Sequence, residues 1–214
     1  MNFYKNYGKR AIDFVISAII LLLIWPLLLI IAVIVKLDSK GPAIFVQDRL
    51  TLGGRVFKMY KFRTMIVNAE KQGTGAYSFG NDPRITKVGN ILRKLSLDEL
   101  LQLVNILKGD MAFIGPRPIL TYHPCKYEDY TEEEKTVFTV RPGISGWAQV
   151  NGRNSVDWEE RFKLNEWYVQ HVTLWLDIKI VFMTIAQVFS RKEIVIQGET
   201  AKTFKEKHQE HKAD

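Results

Sequence analysis

Cysteine and histidine are scarce in this chain: Cys125 is the only cysteine, and 4 histidines occur among 214 residues. One thiol excludes an internal disulfide framework and a thiolate metal cluster, and it agrees with a reducing compartment. Cys125 itself reads as an ordinary loop thiol. His123 and His171 lack metal-ligand spacing and read as structural residues. No Walker A sequence, no G-x-G-x-x-G and no H-E-x-x-H is present, which removes the usual signatures of nucleotide cradles, dinucleotide sites and zinc hydrolases. No internal repeat occurs. Negative charge is in deficit: 30 lysines and arginines stand against 23 acidic residues, a net +7. That balance suits an anionic partner. Nucleic acid is not the expected one, because no recognised module with clustered basic and aromatic positions is found. At 47% apolar residues the chain is neither disordered nor polytopic, and its length allows one domain with a moderate core.

Long apolar runs are also few, and the one that matters lies at Phe14 to Val35, with Ser17 its main polar residue. As a straight helix it would measure roughly 33 Å, close to the ~30 Å of a bilayer core. No small-residue cleavage site follows it, so a signal peptide does not fit. Pro26 sits at its middle. A proline there removes a helix hydrogen bond and clashes with the carbonyl of Leu22. Basic residues flank both ends, Lys5, Lys9 and Arg10 before and Lys36, Lys40, Arg49 and Arg55 after, so charge gives no orientation. Two geometries satisfy these facts: a kinked span, or a hairpin that enters and leaves on one face. Replacing Pro26 by alanine is expected to straighten the segment.

Residues 1–13 form a basic, aromatic lead-in. Ala43 to Met65 reads as a β-hairpin turning at Gly53-Gly54, with Phe57, Met59, Lys61 and Arg63 on one face of its second strand. Residues 68–83, rich in glycine, read as a loop. Helices are expected from Ile85 to Lys94 and from Leu97 to Leu107, and a short one from Thr131 to Phe138. Residues 141–154 read as another loop. The region from Val156 to Phe189 reads as helical, its last part an amphipathic helix in the headgroup layer.

The candidate chemistry centres on Asp98-Glu99. Ser96 with Glu99 three residues later matches a capping box, and Leu95 with Leu100 its hydrophobic staple. From spacing alone, capping is the simpler reading of the pair. It does not conflict with catalysis: a helix start favours the ionised Asp98, and its amides can help hold a phosphate. A carboxylate attacking phosphorus is the chemistry of aspartyl-phosphate enzymes, and it requires cations to offset repulsion. Lys61, Arg63, Arg84, Arg93, Arg117 and Arg141 are available, with Arg117 fixed between Pro116 and Pro118. Oxygen ligands alone are abundant, so Mg²⁺ is the expected metal.

The motifs, in order, are Lys9-Arg10-Ala11-Ile12-Asp13, Tyr60-Lys61-Phe62-Arg63-Thr64-Met65, Asp82-Pro83-Arg84-Ile85-Thr86-Lys87-Val88-Gly89, Leu97-Asp98-Glu99-Leu100 with Gln102-Leu103, Lys108-Gly109-Asp110-Met111, Gly115-Pro116-Arg117-Pro118, Arg141-Pro142-Gly143-Ile144-Ser145-Gly146-Trp147 and Gln149-Val150-Asn151-Gly152-Arg153. With these, from about Lys9 to Ser190, the chain resembles the bacterial sugar transferases, or monotopic phosphoglycosyl transferases. The resemblance implies transfer of a phospho-sugar from a UDP-sugar to polyprenyl (undecaprenyl) phosphate with release of UMP, the first membrane step of a glycan. It implies that Asp98 is the nucleophile of a covalent intermediate, that Glu99 handles Mg²⁺ and phosphate, and that Asp98 and Glu99 are the metal ligands. Lys61, Arg93 and Arg117 match basic positions near the phosphates. Gln149, Asn151 and Arg153 are carried in the motif that closes the run, and Asp177 matches a further family position. In the family the apolar segment is a re-entrant hairpin broken at Ser-Pro, and here the pair is Trp25-Pro26.

The implied fold class is α+β and mostly helical, membrane-monotopic, with a re-entrant helix-break-helix hairpin, a small β-hairpin and interfacial amphipathic helices. Residues 1–40 form the membrane-anchoring segment, 41–190 the catalytic part and 191–214 a charged tail. The chain is expected to be the minimal form, without the multi-span amino-terminal region of larger relatives. Membrane lipid, a homodimer partner and downstream glycosyltransferases are the expected associates, at the cytoplasmic face of the bacterial inner membrane. The competing expectation is a catalytically silent, membrane-anchored partner of a glycan assembly complex.

Overall fold

The computed structural model describes residues 3–72, 82–152 and 157–190. Its apolar segment is one helix, α1 (Lys9–Asp38), entered through a π-helical turn at Tyr4–Gly8. The expected break at Trp25-Pro26 is corrected here: the helix runs through Pro26 without interruption. One proline costs one ladder hydrogen bond, and packing on both sides of it holds the helix. Before it, Ile20, Leu21 and Ile24 lie against Phe57, Met59, Leu103, Ile106 and Met111. After it, Leu28, Ile31, Ala32 and Val35 lie against Phe62, Leu92 and Leu101.

Polar ties hold both ends of α1 to the same body of structure. Arg10 donates from Nη1 and Nη2 to the carbonyls of Ile106 (2.6 Å) and Leu107 (2.9 Å). Asp38 accepts the Val88 amide at 3.2 Å. Along a helix axis those two residues stand roughly 40 Å apart, so α1 lies along the domain. Its other face is bare hydrocarbon, with Leu22 74%, Leu23 72% and Leu37 81% exposed. Among the described residues it is the one helix long and apolar enough to cross a membrane.

The hairpin forms as read: β1 (Ile44–Leu50) pairs antiparallel with β2 (Val56–Phe62), Ile44 opposite Phe62 and Leu50 opposite Val56. Gly53 and Gly54 carry positive φ, 64° and 74°, and a Cβ at Gly54 would fall 2.5 Å from the Tyr127 ring. Beyond β2, Arg63 donates to the carbonyls of Pro42 (2.6 Å), Lys40 (2.8 Å) and Ser39 (2.8 Å). It thereby satisfies the chain where α1 ends. Helix α2 (Lys87–Lys94) is capped by Thr86, whose hydroxyl accepts the Gly89 amide at 2.9 Å. Gly89 itself is required, since a Cβ there would lie 2.1 Å from the Thr64 carbonyl oxygen.

Helix α3 (Gln102–Lys108) ends at the left-handed Gly109 and leads into β3 (Ala112–Ile114). Helix α4 (Glu132–Lys135) carries the capping box of Thr131 and Glu134 and passes into a 3₁₀ turn at Thr136–Thr139. The expected loop over 141–154 instead contains β4 (Gly143–Ser145), parallel to β3, and α5 (Trp147–Gly152). A three-residue strand is too short to show alternation, and it exists because β3 is delivered beside it. The expected helical region from Val156 is divided into α6 (Trp158–Gln170) and α7 (Leu174–Ser190). Thr173 accepts the Leu176 amide at 3.2 Å and starts the second helix. Trp175 and Phe182 stand 79% and 68% exposed on α7. Residues 191–214 and most of the 68–83 loop lie outside the described residues.

Two outcomes follow. Pro26→Ala leaves both flanks of α1 reactive to a membrane-impermeant thiol reagent on the same face, as judged by cysteines placed at Asn6 and Lys40, because the end ties do not involve Pro26. Arg63→Met strands three carbonyls and lowers stability by about 2 kcal/mol or more, seen as a fall in melting temperature in detergent.

Candidate active site

Helix α2 stops at Lys94, and Ser96 takes a left-handed conformation with φ 55°. The chain then makes a 3₁₀ turn over Leu97–Glu99 before α3 begins. The expected helix from Leu97 is therefore a turn followed by a helix, and the expected capping box is absent: Ser96 makes no side-chain cap. Glu99 is drawn away from its own turn by Lys61 on β2, whose Nζ donates to Oε1 at 2.7 Å. With 20% and 31% of their side chains exposed, the two are a partly buried ion pair.

The two acids differ in basicity. Burial raises the pKa of Asp98; Lys61 opposes that, Glu99 reinforces it, and Arg93 opposes it again. Burial, and not a helix dipole, sets the direction in which the Asp98 pKa departs from its ordinary value. For Glu99 burial also pushes upward, but Lys61, then Arg117, and hydrogen bonds from Lys61 and Gln102 outweigh it and hold the carboxyl below its ordinary value. A pair of adjacent acids pushed in opposite directions is the pattern of divided catalytic labour.

Glu99 faces a cavity walled by Arg49, Met59, Lys61, Gln102 and Arg117 and closed by Pro118 and β4, and Asp98 stands beside it, within electrostatic reach of Lys61, Glu99 and Arg93. Arg117 is exposed. Arg93 is aimed by a hydrogen bond from Nε to the Thr64 hydroxyl at 2.8 Å. Thus Asp98, Glu99, Lys61, Arg93 and Arg117 come together.

The other expected site residues stand elsewhere or have other partners. Arg63 is committed to the carbonyls after α1. Arg84 is buried against Asp82 (Nη2 to Oδ2, 2.7 Å) and the carbonyls of Ala69 and Gln72. Arg141 donates from Nε to Gly109 at 2.8 Å and lines a different cavity. Asn151 is exposed and donates to Trp147 of its own helix. Gln149 keeps both side-chain polar atoms buried, without a hydrogen-bond partner among the described residues. Asp177 joins the start of the chain to α7: Tyr4 donates to it at 2.6 Å and Tyr168 at 2.7 Å, and Lys9 pairs with it. Pro26 is inside α1, and Arg153 lies outside the described residues.

Two residues absent from the expected set belong to the site. Gln102 is 3% exposed and bonds Glu99. Arg49 donates to the Pro118 carbonyl at 2.9 Å and to Gln47, and burial, then Arg117, bring its pKa down to about 10. The hairpin register holds the signal for it. Arg49 lies opposite Phe57 and Phe45 opposite Lys61, so Arg49 shares the face that carries Met59 and Lys61.

No group of three or more His, Cys, Asp or Glu side chains able to enclose a metal occurs among the described residues. The donor set is instead one or two carboxylates beside cations, which fits a cation such as Mg²⁺ that keeps waters and takes phosphate oxygens.

The family model described as bacterial sugar transferase matches residues 4–191. A Bacillus subtilis (strain 168) protein named "Uncharacterized sugar transferase EpsL" is 41% identical over 191 residues, covering 89% of each chain. The UDP-glucose:undecaprenyl-phosphate glucose-1-phosphate transferase of Escherichia coli (strain K12) is 45% identical over 190 residues, 86% of this chain and 40% of that one. The undecaprenyl-phosphate galactose phosphotransferase of Salmonella typhimurium is 40% identical over 201 residues, 87% of this chain and 41% of that one. The chain thus spans well under half the length of these two relatives. The family match nonetheless takes in α1, the acid pair and α7 together, and this chain belongs to the bacterial sugar transferase family.

Proposed function

We propose that this chain is a phosphoglycosyl transferase that moves a sugar phosphate from a UDP-sugar to undecaprenyl phosphate and releases UMP. The observation that carries the reading is the acid pair of opposed basicity, Asp98 up and Glu99 down, set among Lys61, Arg93, Arg117 and Arg49. The names of the E. coli and Salmonella relatives supply the reaction class.

Asp98, the more basic carboxylate, is the nucleophile. One of its oxygens attacks the sugar-bearing phosphorus of the UDP-sugar. The bond from that phosphorus to the bridging oxygen breaks, and the electron pair leaves with UMP. An aspartyl phospho-sugar remains. A phosphate oxygen of the polyprenyl phosphate then attacks the same phosphorus, the bond to Asp98 breaks, and the carboxylate is regenerated with the diphospho-sugar lipid as product. Lys61 and Glu99 form a fixed pair beside the attacking oxygen. Arg117 and Arg49 offset the negative charge of the diphosphate, and Arg93 offsets that of Asp98. Asp98 and Glu99 are the residues that would hold Mg²⁺, which when bound would add charge neutralisation on the phosphates.

The same reading seats the molecule on a bilayer. The bare face of α1 enters the lipid, and the end ties of α1 keep both its flanks on one side, which makes the chain monotopic. The exposed Trp175 and Phe182 of α7 rest at the headgroup level. Nucleotide sugars are cytoplasmic, so the acid pair faces the cytoplasm at the bacterial inner membrane.

Purified chain with Mg²⁺ and a panel of UDP-sugars gives a stoichiometric burst of UMP without acceptor and turnover with polyprenyl phosphate. No UMP across the panel would support the silent partner instead. Asp98→Asn abolishes the burst and lowers turnover by about 10⁴-fold or more, measured by UMP release and by intact-mass detection of the adduct. Lys61→Met costs about 10²–10³-fold in turnover. Because the ionised form of Asp98 attacks, the rate rises with pH through a midpoint above the ordinary aspartate value of about 3.9. Arg93→Gln removes a cation that favours the ionised form and moves that midpoint upward in the pH–rate profile.

A further inference from the structure

A second cavity, of about 260 Å³, opens beside the amino-terminal end of α1 and shares no lining residue with the cavity at Glu99. Four cations reach its wall: Lys5, Lys9, Arg10 and Arg141. Their hydrogen bonds go largely to backbone. Lys5 donates to the Val169 carbonyl (2.8 Å), Arg10 to those of Ile106 and Leu107, and Arg141 to that of Gly109. A carbonyl satisfies a donor without cancelling its charge. Two carboxylates stand against the four cations. Asp177 is held by Lys9, Tyr4 and Tyr168. Asp13 is 4% exposed and accepts the Phe113 amide.

Arg10 and Arg141 are close enough to repel. Burial first, and then Arg10, lower the pKa of Arg141. Among the described residues the two terminal nitrogens of Arg141 make no hydrogen bond. A walled cavity with like charges converging and spare donors is suited to an anion. Its place says which kind. Tyr7 is part of the lining and 62% exposed, and the exposed apolar face of α1 begins at Ile12 and Phe14, about one turn beyond Arg10. With that face in hydrocarbon, the cavity lies at headgroup depth, where interfacial aromatics collect. Its volume falls just below the ~300–1,000 Å³ of pockets for drug-sized ligands, so it matches a headgroup and not a whole sugar nucleotide.

We propose that this cavity binds the phosphodiester of an anionic phospholipid headgroup, with Arg10 and Arg141 as its donors. The assignment is independent of the transfer reaction and rests on the membrane seat of α1. It gives the chain a fixed lipid contact at the root of its anchor, separate from acceptor binding.

The test is a thermal-shift titration of the full chain in neutral detergent with dihexanoyl phosphatidylglycerol, dihexanoyl phosphatidylcholine and inorganic phosphate. Phosphatidylglycerol gives a saturable rise in melting temperature that the other two do not match. Arg141→Gln weakens that binding about fivefold, the effect of one charge at a membrane surface. Asn6→Glu introduces an opposing charge at the exposed mouth without breaking a described contact; it weakens binding similarly while leaving the unliganded melting temperature unchanged. Equal shifts from the two lipids, or unaltered binding in both variants, would overturn the proposal. A full effect from inorganic phosphate alone would assign the site to a free anion and overturn the lipid source. Binding of a short polyprenyl phosphate in place of phosphatidylglycerol would make this the acceptor's site and overturn it as well.

Discussion

Phe57 and Met59 of β2 are buried against Leu103 and Ile106 of α3 and against Ile20, Leu21 and Ile24 of α1. That three-way contact joins the three elements on which the candidate site and the apolar face depend. Strand β2 carries Lys61, the turn before α3 carries Asp98 and Glu99, and α1 carries the hydrocarbon face. Because side chains of all three meet in one packed cluster, the acid pair is held in fixed relation to the bare hydrocarbon face of α1. The proposed transfer from a water-soluble nucleotide sugar to a membrane-bound acceptor needs that relation to be rigid, since attack at phosphorus demands a placed nucleophile.

Basic residues divide into two kinds. Lys61, Arg93 and Arg117 stand near carboxylates of the acid turn, where the proposed reaction sets them against phosphate. Arg10, Arg63 and Arg141 spend donors on backbone carbonyls at helix ends and turns, and Arg84 on Asp82 and two further carbonyls. A guanidinium offers five N–H groups and cannot be neutralised, so it satisfies stranded carbonyls while leaving its field in place. The net charge of +7 is therefore part scaffold and part ligand attraction. The cavity at the start of α1 is where the two uses overlap.

Glu99 shows how a local preference yields to a tertiary one. A capping box contributes on the order of 1 kcal/mol, and a half-buried lysine within hydrogen-bond distance competes well with it. With Lys61 delivered by β2, Glu99 leaves its own turn and Ser96 adopts the left-handed conformation. Thr131 and Glu134 form the box their spacing specifies.

The sequence by itself determined the apolar helix, the β-hairpin and its glycine turn, the capped helices α2 and α4, and, through its ordered motifs, the family and the acid pair. Each of these is set by local pattern: hydrophobic period, turn residues or caps. Only the tertiary structure decided the continuity of α1 through Pro26, since packing by Ile24 on one side and Leu28 on the other offsets a lost hydrogen bond. It also decided the pairing of β3 with β4, strands too short to announce themselves. The direction of the two carboxyl pKa values, the recruitment of Arg49 and Gln102, and the withdrawal of Arg63 and Arg84 onto carbonyl and carboxylate partners were decided there too. Each depends on which charges and carbonyls are brought within a few ångströms from distant parts of the chain, and no spacing along the sequence encodes that distance.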